Sequence, residues 1–228
     1  MLVRRCLLIA ALAVSVTRCA DQPTALKPPE GPQFATSSSS GPQSLRWASK
    51  PKFTGWAKKN GTTTTTLSLD QYVVSFWAVR GQARSVQINY SSSIDTVAHP
   101  FLTLTVVDPK YVPGVGNLGM RDSALLTVRV DTATLTVSLE PTGTIFGTPG
   151  QLQISYAGAG GDLNGDGVVD STDANIEMQL LGLWYREGST DPWSHLGATQ
   201  SLSNKSFSYD LQHFSFYAEM LMDWSVGW

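Results

Sequence analysis

The stretches RSVQINY (residues 84–90) and FLTLTVV (residues 101–107) alternate apolar with polar side chains. In a β-strand, successive side chains point to opposite faces, so a period of two gives one apolar face and one polar face. The first stretch places Val86, Ile88 and Tyr90 on the same face. An antiparallel sheet with one buried face and one wet face has this pattern. We therefore expect both stretches to be strands of such a sheet.

The same alternation recurs further along the chain. Its apolar positions in three later stretches are Leu126, Val128, Val130, Leu135, Val137, Leu139, Leu152, Ile154 and Tyr156. The stretches HP, DPKYVPGVGN, EPTG and GTPG are predicted to be turns. The threonine run 62–66 has the composition of a low-complexity linker and the propensity of a strand, and we interpret it as a strand. No long segment has a helical period, so the sequence predicts an all-β antiparallel β-sandwich.

The stretch DLNGDGVVDSTD, residues 162–173, has side-chain oxygens at the spacing of a calcium loop. Calcium takes about six to eight oxygen ligands, and alternate residues of one turn can supply them. Gly167 falls at the sixth position, where such a loop bends sharply. The predicted cofactor is therefore Ca²⁺, and the alternative is an acidic turn with coincidental spacing. The predicted ligands are the side chains of Asp162, Asn164, Asp166, Asp170 and Asp173 and the main-chain carbonyl of Val168.

The residues that follow, ANIEMQLLGLWYREG, allow a helical turn over 173–177 and then resemble a strand. We therefore expect the calcium-binding loop to be inserted between strands, with at most a short helix after it. Ser171 and Thr172 are interpreted as residues that start this helix.

The first twenty residues, MLVRRCLLIAALAVSVTRCA, are typical of a secretory signal. Their apolar run of about eleven residues is shorter than the roughly 20 residues that span a bilayer, which disfavours the alternative of a retained membrane helix. We predict a signal peptide at 1–18 and a flexible tether, rich in proline, serine and glycine, at 19–46. The folded domain is predicted at 47–228.

Cys19 follows the apolar run directly and resembles the lipobox cysteine of bacterial lipoproteins, although Arg18 stands where those boxes have a small residue. The resemblance implies acylation of Cys19 and a membrane anchor, at the outer membrane or the cell surface. The alternative is cleavage after Ala20 and free secretion. The only other cysteine, Cys6, lies in the segment predicted to be removed, so an internal disulfide is not expected.

Charge argues against nucleic acid as a partner. Removing residues 1–18 takes away three arginines and no acid, which shifts the formal net charge from −2 to −5. Four of the negative charges lie in the 162–173 loop, and no run of lysines and arginines matches a phosphate backbone.

Catalytic motifs are also missing from the sequence. His99, His195 and His213 are scattered, and HExxH, GxSxG and a phosphate-binding glycine loop do not occur. The seven tryptophans are expected to be mainly core and edge residues, the alternative being a sugar-stacking platform. We therefore expect a protein that is not an enzyme.

Two resemblances add to this interpretation. Residues 162–173 resemble the calcium loop of dockerin modules, which implies Ca²⁺ binding and, as an alternative function, docking to a cohesin-like partner, although dockerins carry two such repeats. SFSYDLQHFSFYAEM (206–220) and LEPTGTIFGTPGQLQISY (139–156) resemble the last hairpin and a preceding turn and strand of ZU-five-type sandwiches. This implies a binding or assembly module whose protein or polysaccharide ligand is unidentified. Carbohydrate binding is a further alternative.

Overall fold

The computed structural model describes residues 42–60, 62–69 and 73–221. The predicted signal peptide, Cys19 and residues 19–41 of the predicted tether lie outside these residues. Within them the chain forms an all-β sandwich of two antiparallel sheets with one short α-helix, as the sequence predicts.

The first sheet has seven strands. They are β1 (Gln43–Ser44), β4 (Val73–Val79), β9 (Ser123–Val130), β10 (Thr136–Glu140), β12 (Leu181–Arg186), β13 (Ser194–His195) and β16 (Phe216–Leu221). Their order is β13-β12-β16-β10-β9-β4, and β1 also pairs with β16. The predicted tether therefore ends before residue 43, because β1 already belongs to the sheet.

The second sheet has nine strands. They are β2 (Lys52–Lys59), β3 (Thr62–Leu69), β5 (Arg84–Ser91), β6 (His99–Val106), β7 (Asp108–Val112), β8 (Gly116–Asn117), β11 (Ile145–Ser155), β14 (Thr199–Ser201) and β15 (Ser206–His213). Seven of them follow the order β14-β15-β11-β6-β5-β2-β3, while β7 pairs with β11 and β8. The predicted strand at the threonine run is confirmed as part of β3.

The core between the sheets consists of the alternating apolar residues. Val86 and Ile88 of β5 are fully buried, as are Leu102 and Leu104 of β6. Each such side chain stabilises the fold by about 1.5–3 kcal/mol relative to an exposed one. The predicted period of two is therefore what places these residues in the core.

One acidic side chain, Glu219 of β16, also lies within the protein and is 0% exposed. Its strand neighbours are Leu183, which is directly opposite on β12, and Leu135, whose carbonyl accepts the Glu219 N–H at 3.5 Å. Neither carboxyl oxygen has a hydrogen-bond partner among the described residues. Burial holds the pKa of Glu219 well above its usual range.

Several predicted turns are strands in the structure. HP begins β6, and DPKYVPGVGN contains β7 and β8. GTPG, residues 147–150, lies inside β11, whose pairing register with β15 shifts between Ile145 and Gly150. Proline has no N–H to donate, so a strand tolerates it where the hydrogen bonds to the neighbouring strand are interrupted. The turn-like composition of GTPG therefore indicates an irregular part of a strand. EPTG is a turn, as predicted.

The predicted final hairpin at 206–220 is wrong, because β15 and β16 belong to different sheets. The chain crosses between the sheets at Phe214 and Ser215, which are both fully buried. The Phe214 N–H donates to Thr144 O at 2.9 Å, and Ser215 O accepts from the Leu139 N–H at 3.0 Å. These bonds satisfy the backbone of the crossing, which is why it can be buried.

Trp47 joins the two sheets where the chain enters the sandwich. Its Nε1 donates to Asp131 O and Thr134 O, both at 3.1 Å, beside the seven-stranded sheet. Its ring packs against Phe101 of the other sheet, with centroids 4.9 Å apart. Gly158 is required here, since a Cβ at that position would lie 2.3 Å from the Trp47 ring.

No helix in the described part of the chain is long and apolar enough to cross a membrane.

Candidate metal centre

The 162–173 loop connects the two sheets. It follows β11 and a short 3₁₀ helix (Ala157–Ala159), and it leads into helix α1 (Ser171–Gln179) and then β12. The loop is therefore inserted between strands, as predicted. The helix is longer than the single turn predicted over 173–177, because a cap at residue 170 starts it earlier.

Asp162 organises the first half of the loop. Its Oδ1 accepts hydrogen bonds from the N–H groups of Gly165 at 2.7 Å and Asp166 at 3.1 Å, and its Oδ2 accepts from Gly167 at 2.9 Å. Gly165 and Gly167 have φ values of +75° and +86°. Residues other than glycine rarely adopt this left-handed backbone conformation. The two glycines therefore allow the chain to bend around the Asp162 carboxylate.

Asn164 and Asp166 contact each other inside the bend. Asn164 Nδ2 donates to Asp166 Oδ2 at 2.9 Å, and Asn164 Oδ1 accepts from the Asp166 N–H at 3.0 Å. Asp166 Oδ1 accepts from the Val168 N–H at 2.8 Å. Two of the predicted ligands therefore lie side by side, with their oxygens on one short turn.

Asp173 closes the loop from its far end. Its Oδ1 accepts from the N–H groups of Leu163 at 2.7 Å and Asn164 at 3.2 Å, and its Oδ2 accepts from the Asp170 N–H at 3.0 Å. The residue is only 3% exposed. Burial alone would raise the pKa of Asp173, but the three N–H groups stabilise the charged form and lower it. The last predicted ligand thus lies beside the first residues of the loop.

Asp170 has a second role that ligand spacing did not predict. It is the N-cap of α1, and its Oδ1 accepts from the Thr172 N–H at 2.7 Å. Asp170 and Asp173 form a capping box. The Asp170 side chain accepts from the backbone N–H of Asp173, and the Asp173 side chain accepts from the backbone N–H of Asp170. The sequence signal for this capping box is the Asp-x-x-Asp spacing of Asp170 and Asp173. The helix start interpreted at Ser171 and Thr172 is confirmed, because α1 begins at Ser171, directly after this cap.

The loop oxygens accept backbone N–H groups in this structure. No group of three or more His, Cys, Asp and Glu side chains is arranged to hold a metal ion within 42–60, 62–69 and 73–221. The donor set of four carboxylates and an amide, without sulfur or imidazole, has the chemistry that Ca²⁺ prefers. Each carboxylate oxygen has more than one lone pair, so an N–H bond does not prevent it from ligating. The residue types fit calcium, and binding requires the side chains to converge further.

Helix α1 is fastened to the nine-stranded sheet by Glu177. The Tyr156 hydroxyl donates to Glu177 Oε1 at 2.8 Å, and Lys205 Nζ lies 3.2 Å from both carboxylate oxygens. Gln200 Nε2 donates to the Glu177 carbonyl at 3.0 Å. Burial and the Glu177 carboxylate both raise the pKa of the Tyr156 hydroxyl. These partners are 21 to 28 residues from Glu177 in the chain, so sequence spacing did not reveal them.

The histidines do not form a common site. His99 pairs with Asp95 at 2.7 Å, and His213 lies 3.6 Å from Glu187. His195 packs edge-on against Trp184, with ring centroids 5.1 Å apart.

Of the five tryptophans in the described part of the chain, four are half-buried and one is exposed. Trp77 is 59% exposed, whereas Trp47, Trp56, Trp184 and Trp193 are half-buried. The described part of the chain therefore presents one strongly exposed indole. A pair on one face, which would favour sugar stacking, is not present there.

Comparison with known proteins identified no relative. No protein-family model matches the chain, and neither a curated protein nor a solved structure matches it. Function is therefore inferred from the residues and their geometry.

Proposed function

We infer that the protein is an exported, membrane-anchored calcium-binding β-sandwich that acts in binding or surface structure and has no catalytic role. The observation that carries this proposal is the closure of the 162–173 loop. Asp173 at the twelfth position accepts the N–H of Asn164, at the third position, at 3.2 Å, so the last predicted ligand lies against the backbone of the first half of the loop. Together with glycine at the sixth position, this is the framework that a calcium loop needs.

Calcium would be held by Asp162, Asn164, Asp166, Asp170 and Asp173 and the carbonyl of Val168. When bound, the ion would supply positive charge to four carboxylates that otherwise repel one another. Glu177 then connects the loop to the sandwich, because its helix begins at the Asp170 cap and its carboxylate binds Tyr156 and Lys205. We therefore assign the ion a structural role, in fixing the segment that joins the two sheets.

The proposed anchor is the lipid on Cys19. Residues 20–41 would link it to β1. Shortly after β1, Trp47 packs against Gly158, four residues before the calcium loop, and the Ala48 N–H donates to the Gly158 carbonyl at 2.9 Å. Such a tether keeps the domain near the membrane while leaving its sheets free for a protein or polysaccharide ligand.

Thermal unfolding in calcium and in chelator tests the metal. An ion that binds only the folded state stabilises by about 2.7 kcal/mol at a hundredfold excess over Kd, so Tm should rise with calcium. Asp166→Ala should abolish the increase, whereas Ser171→Ala, which removes an exposed hydroxyl outside the ligand set, should retain it. Equal Tm values in calcium and in chelator would refute calcium binding.

A further variant separates capping from ligation. Asp170→Ser keeps a side chain that can cap α1 but removes the carboxylate. We expect nearly normal stability in chelator and a smaller calcium-dependent increase in Tm. Magnesium should substitute poorly, since it requires octahedral geometry at about 2.0–2.1 Å and loses water reluctantly.

The anchor is tested by incorporation of labelled palmitate in a bacterial host. Labelling should be present in the full chain and lost in Cys19→Ser. Labelling that persists in the variant, or that never occurs, would favour free secretion instead.

The alternative function is docking to a cohesin-like partner through the exposed start of α1. It predicts calcium-dependent capture of a cohesin domain that is weakened by Ser171→Ala. If Tm depends on calcium but no cohesin domain is captured, the ion has a structural role only. Any binding function would then belong to the sheets of the sandwich.

A further inference from the structure

The loop that joins β5 to β6, residues 92–98, presents two large apolar side chains to solvent. Ile94 is 86% exposed, the highest value among the large apolar residues of the described chain, and Val97 is 62% exposed. Single exposed apolar residues are common on protein surfaces. Two of them three positions apart on one projecting loop form a candidate contact surface, because burying them against a partner is favourable.

Hydrogen bonds within the loop fix its shape. Ser92 Oγ accepts from the N–H groups of Ile94 at 3.2 Å and Asp95 at 3.0 Å, and the Ser92 N–H donates to the Asp95 carbonyl at 2.6 Å. Asp95 Oδ1 accepts from the Val97 N–H at 3.0 Å, and Asp95 Oδ2 lies 2.7 Å from His99 Nε2. The carboxylate of the loop is therefore turned back on the loop itself, and the large side chains left in solvent are apolar.

The loop lies where the chain enters the sandwich from the predicted tether. Tyr90 and His99, which flank the loop, are directly opposite each other on β5 and β6. The Tyr90 ring packs against Trp47, with centroids 5.2 Å apart. Trp47 is three residues after β1, a distance of at most about 10 Å in an extended chain. The loop and the attachment point of the tether are therefore at the same end of the sandwich.

Two lysines stand next to the loop. Lys52 is directly opposite Ser91, the residue before the loop, and Lys50 is two residues earlier in the chain. Both lysines are exposed. Lysines close to a bilayer are attracted to anionic lipid headgroups. Apolar side chains flanked by lysines suit a lipid surface better than they suit a purely apolar protein partner.

We propose that loop 92–98 is a second membrane contact of this protein, in which Ile94 and Val97 insert into the lipid surface beside the anchor. The inference rests on the proposed lipid at Cys19. A flexible tether of residues 20–41 has a root-mean-square length of about 25 Å, so it keeps this end of the domain close to the bilayer. One acyl chain alone holds a protein only reversibly, and a second contact makes the attachment stable.

The opposite end of the sandwich supplies a matched control. Val115, in the turn between β7 and β8, is 63% exposed, almost the same as Val97. Tyr111 of β7 pairs with Ile145 at the start of β11, whereas Leu102 of β6, near loop 92–98, pairs with Ile154 at the other end of β11. The proposal therefore keeps Val115 in water when loop 92–98 is in lipid.

An environment-sensitive fluorophore at residue 96 tests the insertion. Residues 1–19 are replaced by a polyhistidine tag that binds a nickel-chelating lipid, so the protein is held on vesicles whether or not Cys19 is acylated. The remaining chain, residues 20–228, includes every described strand and has no cysteine, so Thr96→Cys gives a single labelling site. On vesicles of phosphatidylcholine and phosphatidylglycerol, we expect the emission of this label to shift to the blue and to be quenched by spin-labelled lipid.

Variants in the same assay separate insertion from mere proximity to the vesicle. A label at Val115→Cys should keep the emission of an aqueous fluorophore. Adding Ile94→Ser and Val97→Ser to the Thr96→Cys protein should remove most of the blue shift and leave Tm unchanged, because both side chains are exposed.

Three results would overturn the membrane contact. They are an aqueous emission from residue 96 on vesicles, a blue shift that survives the Ile94→Ser/Val97→Ser change, and an equal shift at residue 115. A blue shift at residue 96 together with no palmitate on Cys19 would refute the anchor and leave the loop contact standing, so the two proposals fail separately.

Discussion

Asp173 and Glu219 are two buried carboxyl groups in opposite chemical situations. Asp173 is 3% exposed and accepts three backbone N–H bonds, while Glu219 is 0% exposed and has no hydrogen-bond partner among the described residues. Burial disfavours the charge on both. The pKa of Asp173 is nevertheless lowered, because the N–H groups outweigh burial, whereas the pKa of Glu219 is raised well above its usual range.

This contrast shows that burial alone does not determine whether an acid is charged. At the loop, a carboxylate accepts three backbone N–H groups from two segments of the chain, and its charge stabilises that arrangement. In β16, a carboxyl group occupies a place between leucines where an apolar side chain would fit. One buried acid therefore stabilises the fold and the other opposes it.

The largest effect is expected for Asp173→Ala, measured in chelator by denaturant unfolding. The change leaves three N–H groups without their acceptor, and hydrogen bonds to charged groups contribute about 1.5–3 kcal/mol each, so we expect a loss of about 3 kcal/mol or more. Asp210→Ala is the control, since Asp210 is exposed and accepts from the side chain of Gln151. A loss of stability in Asp173→Ala no greater than that in Asp210→Ala would contradict the stabilising role of the Asp173 carboxylate.

Glu219→Met should act in the opposite direction. Replacing an unpartnered buried polar group with an apolar one of similar length removes a desolvation penalty of about 1–3 kcal/mol, so the free energy of unfolding should rise at neutral pH. Glu219→Gln keeps a polar group at the same place and should not be stabilised in this way. A Glu219→Met protein less stable than the wild type would show that the acid has a partner the fold needs.

The pH dependence should separate the two acids further. Because the pKa of Glu219 is raised from its ordinary 4.5, its contribution to stability is fully present below pH 4.5 and is lost as pH rises towards the folded-state pKa. The advantage of Glu219→Met over the wild type should therefore grow with pH, by about 1.4 kcal/mol per unit. Asp173 has a lowered pKa, so its contribution is present above 3.8 and is lost as pH falls below that value. A stability difference that does not change with pH would contradict the assignment for Glu219.

The smallest effect is expected at Asp170, an exposed acid in the same loop. Asp170→Ala removes the N-cap of α1 and should cost about 1 kcal/mol in chelator, while Asp170→Ser should cost only a few tenths. The measurement is the midpoint of chemical denaturation. Equal losses in both variants would show that the charge, and not the cap, is what matters there.

The period of two predicted the strands and the core because it follows directly from the geometry of a strand. Val86 and Ile88 were predicted to share one apolar face with Tyr90, and both are fully buried, while Tyr90 is half-buried. The turns were predicted less well. Proline and glycine at 147–150 indicated a turn, but the same residues also suit a break in a strand ladder, and local composition does not distinguish the two.

Features that depend on partners distant in the chain were not predictable. At Phe214 and Ser215, the chain crosses to the other sheet because residues 139 and 144 bind its backbone. The inward position of Glu219 follows from its register with Leu183 on β12. At the loop, the spacing of the acidic residues predicts the calcium ligands, and this remains a prediction. The hydrogen bonds that Asp173 accepts from Leu163 and Asn164 were not predictable from spacing, because they depend on how the backbone folds.

The position of β16 has a consequence for the order of folding. This strand lies between β12 and β10 and also binds β1, so it joins strands that are otherwise separate in the seven-stranded sheet. Gln43 pairs with Leu221, so the first and last described strands meet. Non-local pairing of this kind closes slowly, because a long loop must be ordered first. A chain emerging from a ribosome thus cannot complete this sheet until residue 221 has been synthesised and is free to pair.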